Sequence, residues 1–176
     1  MNKINYNLEM EKIINKIDLQ NKPTLLLHSC CGPCSSAVIE RLYPYFKLQV
    51  LYYNPNIDTY EEYMKRAKEQ MRFIKEFGIA DQVKVQVLEY DKDAFLKAVQ
   101  GYEHGGEGSS RCLKCFNLRL SKTAQLAKEG DFDYFTTTLS ISPWKDSQVL
   151  NKLGNYLGNI YGVTYLYSDF KKKNGF

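Results

Sequence analysis

The stretch Leu25-Leu26-Leu27-His28-Ser29-Cys30-Cys31-Gly32-Pro33-Cys34 constrains the rest of the chain most: an apolar run that ends in three cysteines within five residues. Read as a buried strand opening onto a helix, it puts sulfur just beyond the carboxyl end of a strand, where α/β folds place their chemistry. Pro33 suits the first turn of that helix, because its missing N–H would be unpaired there anyway. A second cluster, Arg111-Cys112-Leu113-Lys114-Cys115, follows about eighty residues later. The expectation is that the two clusters meet in space and hold a metal centre.

The remaining periodicities fill in an alternation. Residues 7–17 place Met10, Ile13, Ile14 and Ile17 at helical spacing, a short amphipathic helix over the domain. Strands are expected over Thr24–His28, Lys47–Tyr53, residues 82–90, Tyr134–Leu139 and Val163–Tyr167. Helices are expected over Ser35–Tyr43, Thr59–Phe77, Asp91–Val99, Cys112–Lys128 and about Trp144–Tyr156. The third of these six helices puts Tyr60, Tyr63, Met64, Ala67, Met71 and Ile74 on one face and stops at Gly78. Residues 101–110, with four glycines, form an irregular, mobile loop that delivers the second cysteine pair. Such an order predicts an α/β fold, a mostly parallel sheet of about five strands with helices on both faces. At 176 residues this is one domain, with residues 1–22 as a helical N-terminal extension.

A chain of this length buries a core without a metal to rescue it, so a metal here serves function rather than stability. The 24 basic and 20 acidic residues leave a net charge of +4, compatible with docking on phosphates. No basic leader followed by an apolar segment opens the sequence, and no apolar run approaches membrane-spanning length. The expected compartment is therefore the cytoplasm, with no membrane partner. Thiols are kept reduced there, so five cysteines in two short motifs read as metal ligands or redox thiols rather than as a disulfide framework.

Cys31-Gly32-Pro33-Cys34 and Cys112-Leu113-Lys114-Cys115 are both C-x-x-C units, and at a helix start that spacing points both sulfurs the same way. The helix N-terminus also favours thiolate, the form that binds metal. Two such units ordinarily suggest four-sulfur zinc, but Cys30 is a fifth thiol, and adjacent side chains in extended backbone point to opposite faces. Either Cys30 is a buried core residue or it binds a different iron from its neighbour. Two further readings stand beside a metal centre: a thioredoxin-like dithiol pair, and a non-catalytic or sulfur-transferring tRNA protein on a PP-loop-like fold. His28 ends an apolar strand, the position of a structural histidine as well as of a ligand or proton donor. Arg66 is either a solvated charge or, near Asn54 and Asn56, a grip on a phosphate or base. Lys171 to Lys173 form a charge run, solvated or on RNA, and Asp169 is a turn residue or an active-site carboxylate.

His28-Ser29-Cys30-Cys31-Gly32-Pro33-Cys34, Tyr53-Asn54-Pro55-Asn56-Ile57 with Glu62-Tyr63, Arg111-Cys112-x-x-Cys115 with Arg119-Leu120, Thr136-Thr137-Thr138-Leu139 with Ser142-Pro143, and Asp169-Phe170-Lys171 with Gly175-Phe176 together carry a resemblance. In this order they closely resemble the QueH-type epoxyqueuosine reductases, from about Pro23 to Phe176. The resemblance implies a Rossmann-like sheet related to the nucleotide-hydrolase and PP-loop folds. It implies removal of the epoxide oxygen of epoxyqueuosine at the wobble position of tRNA, leaving queuosine. It further implies an iron–sulfur cluster of the 4Fe-4S kind with an additional iron, held by Cys30, Cys31, Cys34, Cys112 and Cys115. Beyond Phe176, where this sequence stops, it implies another helix and a cysteine-containing tail.

On that reading Cys30 and Asp169 are the catalytic candidates, Asp169 as oxygen ligand or proton donor. His28, Asn54 and Asn56 line the substrate, and Arg66, Arg119, Lys171 and Lys172 contact RNA. Tyr52, Tyr53 or Trp144 offers a base a stacking platform. Removing the oxygen takes two electrons and two protons, so an external low-potential electron donor is also expected.

Overall fold

The computed structural model describes residues 3–30, 32–106, 109–142 and 146–171. Five parallel strands, β1 (Thr24–Ser29), β2 (Lys47–Tyr52), β3 (Lys84–Val87), β4 (Tyr134–Thr137) and β5 (Thr164–Tyr165), stand in the order β3-β2-β1-β4-β5. Between them run α2 (Gly32–Leu42), α3 (Tyr60–Phe77), α4 (Lys92–Ala98), α5 (Ser110–Glu129) and α6 (Ser147–Tyr161), with α1 (Tyr6–Ile14) in front. The α/β, Rossmann-like reading therefore holds, and the strand order reverses at β1. That switch point is where such sheets open a crevice at their carboxyl edge.

β1 is central because it is apolar on both faces. Leu25 and Leu27 join the cluster of Met10, Val38, Ile39 and Ile74 under α1, α2 and α3, whereas Leu26 joins Phe116, Leu120, Phe135 and Leu157 under α5 and α6. Each fully buried leucine contributes about 2 kcal/mol. Extending this alternation assigns Ser29 to the α2–α3 side and Cys30 to the α5 side, and Cys30 does pack on the α5 cluster.

Element ends follow their caps. Thr59 accepts from Glu62 N–H at the start of α3, Gly78 closes it at φ 84°, and Asp91 caps α4 through Ala94 N–H. α6 runs past Tyr156 to Tyr161 and ends at Gly162, also left-handed. Its Gly154 and Gly158 allow a close approach: a Cβ would lie 2.5 Å from the Tyr165 ring and from the Val163 carbonyl, respectively. Strands β3, β4 and β5 are shorter than the sequence suggests, and β4 gives way to a 3-10 turn at Leu139–Ile141. Among the described residues no helix is long and apolar enough to cross a membrane.

One expected core stripe needs correction. Tyr60 and Met71 are 57% and 41% exposed, and the buried face of α3 is Tyr63, Ala67, Gln70 and Ile74. Gln70 takes the central place because its Oε1 accepts from Ser29 Oγ at 2.5 Å and Ser35 Oγ at 2.7 Å, tying α3 to the strand end and to α2. Gln70→Ala is expected to cost about 3 kcal/mol in urea unfolding, from a cavity plus two lost hydrogen bonds. A loss below about 0.5 kcal/mol would show that this tie carries no weight.

Candidate metal centre

The first cysteine motif spans the turn from β1 into α2, with Cys30 just past the strand and Cys34 in the helix's first turn. Cys31 lies outside the described residues. Cys112 and Cys115 stand in the first two turns of α5. Cys30 and Cys112 pack on one apolar cluster, that of Tyr53, Phe116 and Leu139, whereas Cys34 packs on the other side and Cys115 sits against Phe95 and Val99.

A buried polar chain joins the two motifs. Asn54 Nδ2 donates to the carbonyls of Ser29 at 2.9 Å and Cys30 at 3.4 Å. Asn54 Oδ1 faces Arg119 Nη1 at 3.5 Å, and Arg119 Nε reaches the Cys115 carbonyl at 3.5 Å. Thr138 completes the frame: its N–H donates to the His28 carbonyl at 2.9 Å, and its hydroxyl lies 3.3 Å from Cys30 N–H and 3.5 Å from Cys30 Sγ. A hydroxyl hydrogen aimed at sulfur favours the thiolate.

His28 is fully buried and both ring nitrogens are engaged, Nε2 with the Tyr53 carbonyl and Nδ1 with Thr137 Oγ1, each at 2.9 Å. The carbonyl only accepts, so Nε2 carries the hydrogen and Nδ1 accepts from Thr137. Burial, reinforced by the Arg119 charge, pulls the His28 pKa down to about 4, so the ring is neutral near pH 7. Burial raises the Tyr53 phenol, with Asp91 and Cys115 adding to the effect.

The residues expected to touch RNA fall into two groups. His28, Asn54 and Arg119 are buried and bonded within the protein. Asn56 is half-buried with an Oδ1 unpartnered among the described residues, Arg66 is exposed and paired with Glu62 at 2.8 Å, and Lys172 lies outside the described residues, as does Trp144. Lys171 Nζ holds the Ser140 carbonyl at 2.9 Å and Asp169 Oδ1 at 3.3 Å. Asp169 is buried at the start of α6, where Ser147 Oγ donates to its other oxygen at 3.1 Å. Tyr52 is buried against Tyr63 and donates to its carbonyl.

Do these residues suit an iron–sulfur group? Among the described residues no three His, Cys, Asp or Glu side chains stand close enough to share one metal ion. The donor set and the charge nevertheless fit. Both C-x-x-C motifs lie at helix starts, with Cys30 and Cys112 on one apolar cluster and Cys34 and Cys115 on two others. Arg119, only 4% exposed, has no carboxylate partner among the described residues. A buried guanidinium without an anion costs several kcal/mol, and thiolates bound to iron would supply the missing negative charge.

Three polar residues of this frame, Gln70, Thr138 and buried Arg119, were not singled out as such by periodicity. For Thr138 the signal is its place in the Thr136-Thr137-Thr138-Leu139 stretch that carries the resemblance, which gives it no role of its own.

Known proteins are similar to this chain over most of its length. The family model described as epoxyqueuosine reductase QueH matches residues 25–176. A protein named epoxyqueuosine reductase QueH from Staphylococcus epidermidis is 40% identical over 99% of this chain and 75% of its own length. One of that name from Streptococcus pyogenes is 40% identical over 99% of this chain and 69% of its own, and one from Thermotoga maritima 32% identical over 85% and 76%. With the match starting inside β1 and covering both cysteine motifs, the chain belongs to the QueH family of epoxyqueuosine reductases.

Proposed function

We propose that this chain reduces the epoxide of epoxyqueuosine to the alkene of queuosine at the wobble position of tRNA, in the reducing setting of the cytoplasm. The observation that supports it best is the Asn54–Arg119 link between two thiol motifs at the switch point of the sheet. Cys30, Cys31, Cys34, Cys112 and Cys115 would hold a 4Fe-4S cluster and an additional iron. Bound there, that group supplies electrons one at a time and Lewis acidity.

The chain's own residues do the rest. Thr138 steadies the Cys30 thiolate, and Arg119 balances negative charge inside the protein. Neutral His28 fixes the Tyr53 carbonyl and Thr137, which keeps β1, β2 and β4 in register beneath the thiols. The epoxide oxygen leaves as water, taking two electrons and two protons that come ultimately from solvent; Asp169, held by Lys171 Nζ at 3.3 Å and Ser147 Oγ at 3.1 Å, is the candidate oxygen ligand or proton carrier. The electrons come from an external low-potential donor.

The test is anaerobic reconstitution with iron and sulfide, then incubation with dithionite and epoxyqueuosine-containing tRNA. Nucleoside mass spectrometry should show loss of one oxygen and appearance of queuosine. A colourless, iron-free protein that reduces disulfides and leaves the epoxide intact would overturn the proposal in favour of dithiol chemistry.

A further inference from the structure

Helix α5 carries a charge pattern that its own stability does not explain. From Ser110 to Lys128 it holds Arg111, Lys114, Arg119, Lys122 and Lys128 and no acid; Glu129 is its last residue. Arg111 and Lys114 sit in its first two turns, where the helix dipole opposes positive charge, and Ser109 provides no side-chain cap. Among the described residues none of Arg111, Lys114 and Lys122 has a carboxylate partner. Among the described residues Arg111 Nε, itself buried, has no hydrogen-bond partner.

Each of these cations lies instead over an aromatic ring. Arg111 Cζ is 5.4 Å from the Phe95 centroid, Lys114 Nζ 5.5 Å from that of Tyr102, and Lys122 Nζ 5.8 Å from that of Tyr53. Tyr102 is 44% exposed, so one ring is open to a stacking partner. Arg111 and Lys122 are eleven residues apart, close to three full turns, so with Cys115 and Leu118 they share one face over about 16 Å.

We propose that this strip, Arg111, Lys114 and Lys122 with the exposed Tyr102 ring, is the docking surface for the single-stranded loop of the RNA substrate. The proposal rests on the tRNA reading above and assigns the surface that reading leaves open. Three cations without acids match phosphates, and cations interleaved with rings match a splayed loop in which bases stack while the backbone is neutralised. An acidic protein partner would need the charges but not the exposed ring. Cys115 lies in the same helical register between Arg111 and Lys122, buried against Phe95 and Val99, so a loop held on the flanking cations lies alongside the α5 cysteine motif.

The experiment is fluorescence anisotropy of the reconstituted full chain with a labelled anticodon stem–loop RNA over a range of potassium chloride. Arg111→Gln, Lys114→Gln and Lys122→Gln should each lower the slope of log Kd against log salt by about 0.7, and the triple variant by about 2. At low salt the triple variant should bind at least tenfold more weakly with wild-type iron content. Tyr102→Ala should weaken binding at least about fivefold, and Tyr102→Phe should restore it. Wild-type affinity and slope in the triple variant would overturn the strip while leaving the reductase reading intact. So would slower reduction of that variant by a ferredoxin with RNA binding intact, which would assign the strip to the electron donor. A wild-type chain that binds the stem–loop at no salt concentration would overturn the substrate reading and the strip together.

Discussion

Cys115→Ser is expected to lower epoxide reduction by more than about 100-fold and to abolish the visible absorption of the reconstituted protein, while the thermal melt of the metal-free chain stays within a few degrees of wild type. Ser is close to Cys in shape, so packing against Phe95 and Val99 survives. The thiolate does not, and even residues one shell removed from a metal typically cost 10- to 100-fold when lost. The informative contrast is Arg119→Met. It leaves every thiol in place but removes the buried cation and its bonds to Asn54 and the Cys115 carbonyl. Iron should then bind weakly from both motifs at once, whereas Arg119→Lys, which keeps the charge, should retain part of it. Full iron content and activity in Cys115→Ser would exclude the α5 motif from the centre.

Acid should weaken the metal-free fold through one residue. The unfolded chain's histidine takes up a proton near pH 6.5, whereas folded His28 resists it down to about 4. Between these values the unfolded state binds more protons, so stability rises with pH there and is lost as pH falls from 6.5 toward 4. The expected loss is about 3 kcal/mol, read by urea unfolding at the two pH values. Carboxylates titrate nearby in pH, so the measurement is the difference from His28→Gln, in which that component should vanish. Equal slopes in wild type and variant would mean that His28 charges freely and is not the neutral clamp between Tyr53 and Thr137.

The sheet was legible because its central strand is apolar on both faces and each neighbouring segment repeats at two or near 3.6 residues. Caps at Thr59, Asp91 and Gly78 are local signals, and those ends fell where the residues put them. What could not be read locally is polar burial. Gln70 looks like a solvent-facing helix residue until Ser29, 41 positions away, is brought to it. Thr138 meets Cys30 across 108 positions, and Arg119 reads as a surface cation until it is found beneath Asn54. Gly154 and Gly158 act the same way: they allow α6 to lie against β5, a packing reason invisible to periodicity. The cysteines pointed to a candidate centre by their number and spacing, but the link between their two motifs, Asn54 after β2 and Arg119 of α5, shows its contacts only in the fold.

Differential alkylation of the reconstituted chain, read by mass spectrometry, tests most directly whether the two motifs form one centre. Cys30, Cys31, Cys34, Cys112 and Cys115 should be protected together while iron is bound and become reactive together when it is chelated. Rapid labelling of Cys112 and Cys115 in a chain whose first motif still holds iron would contradict it.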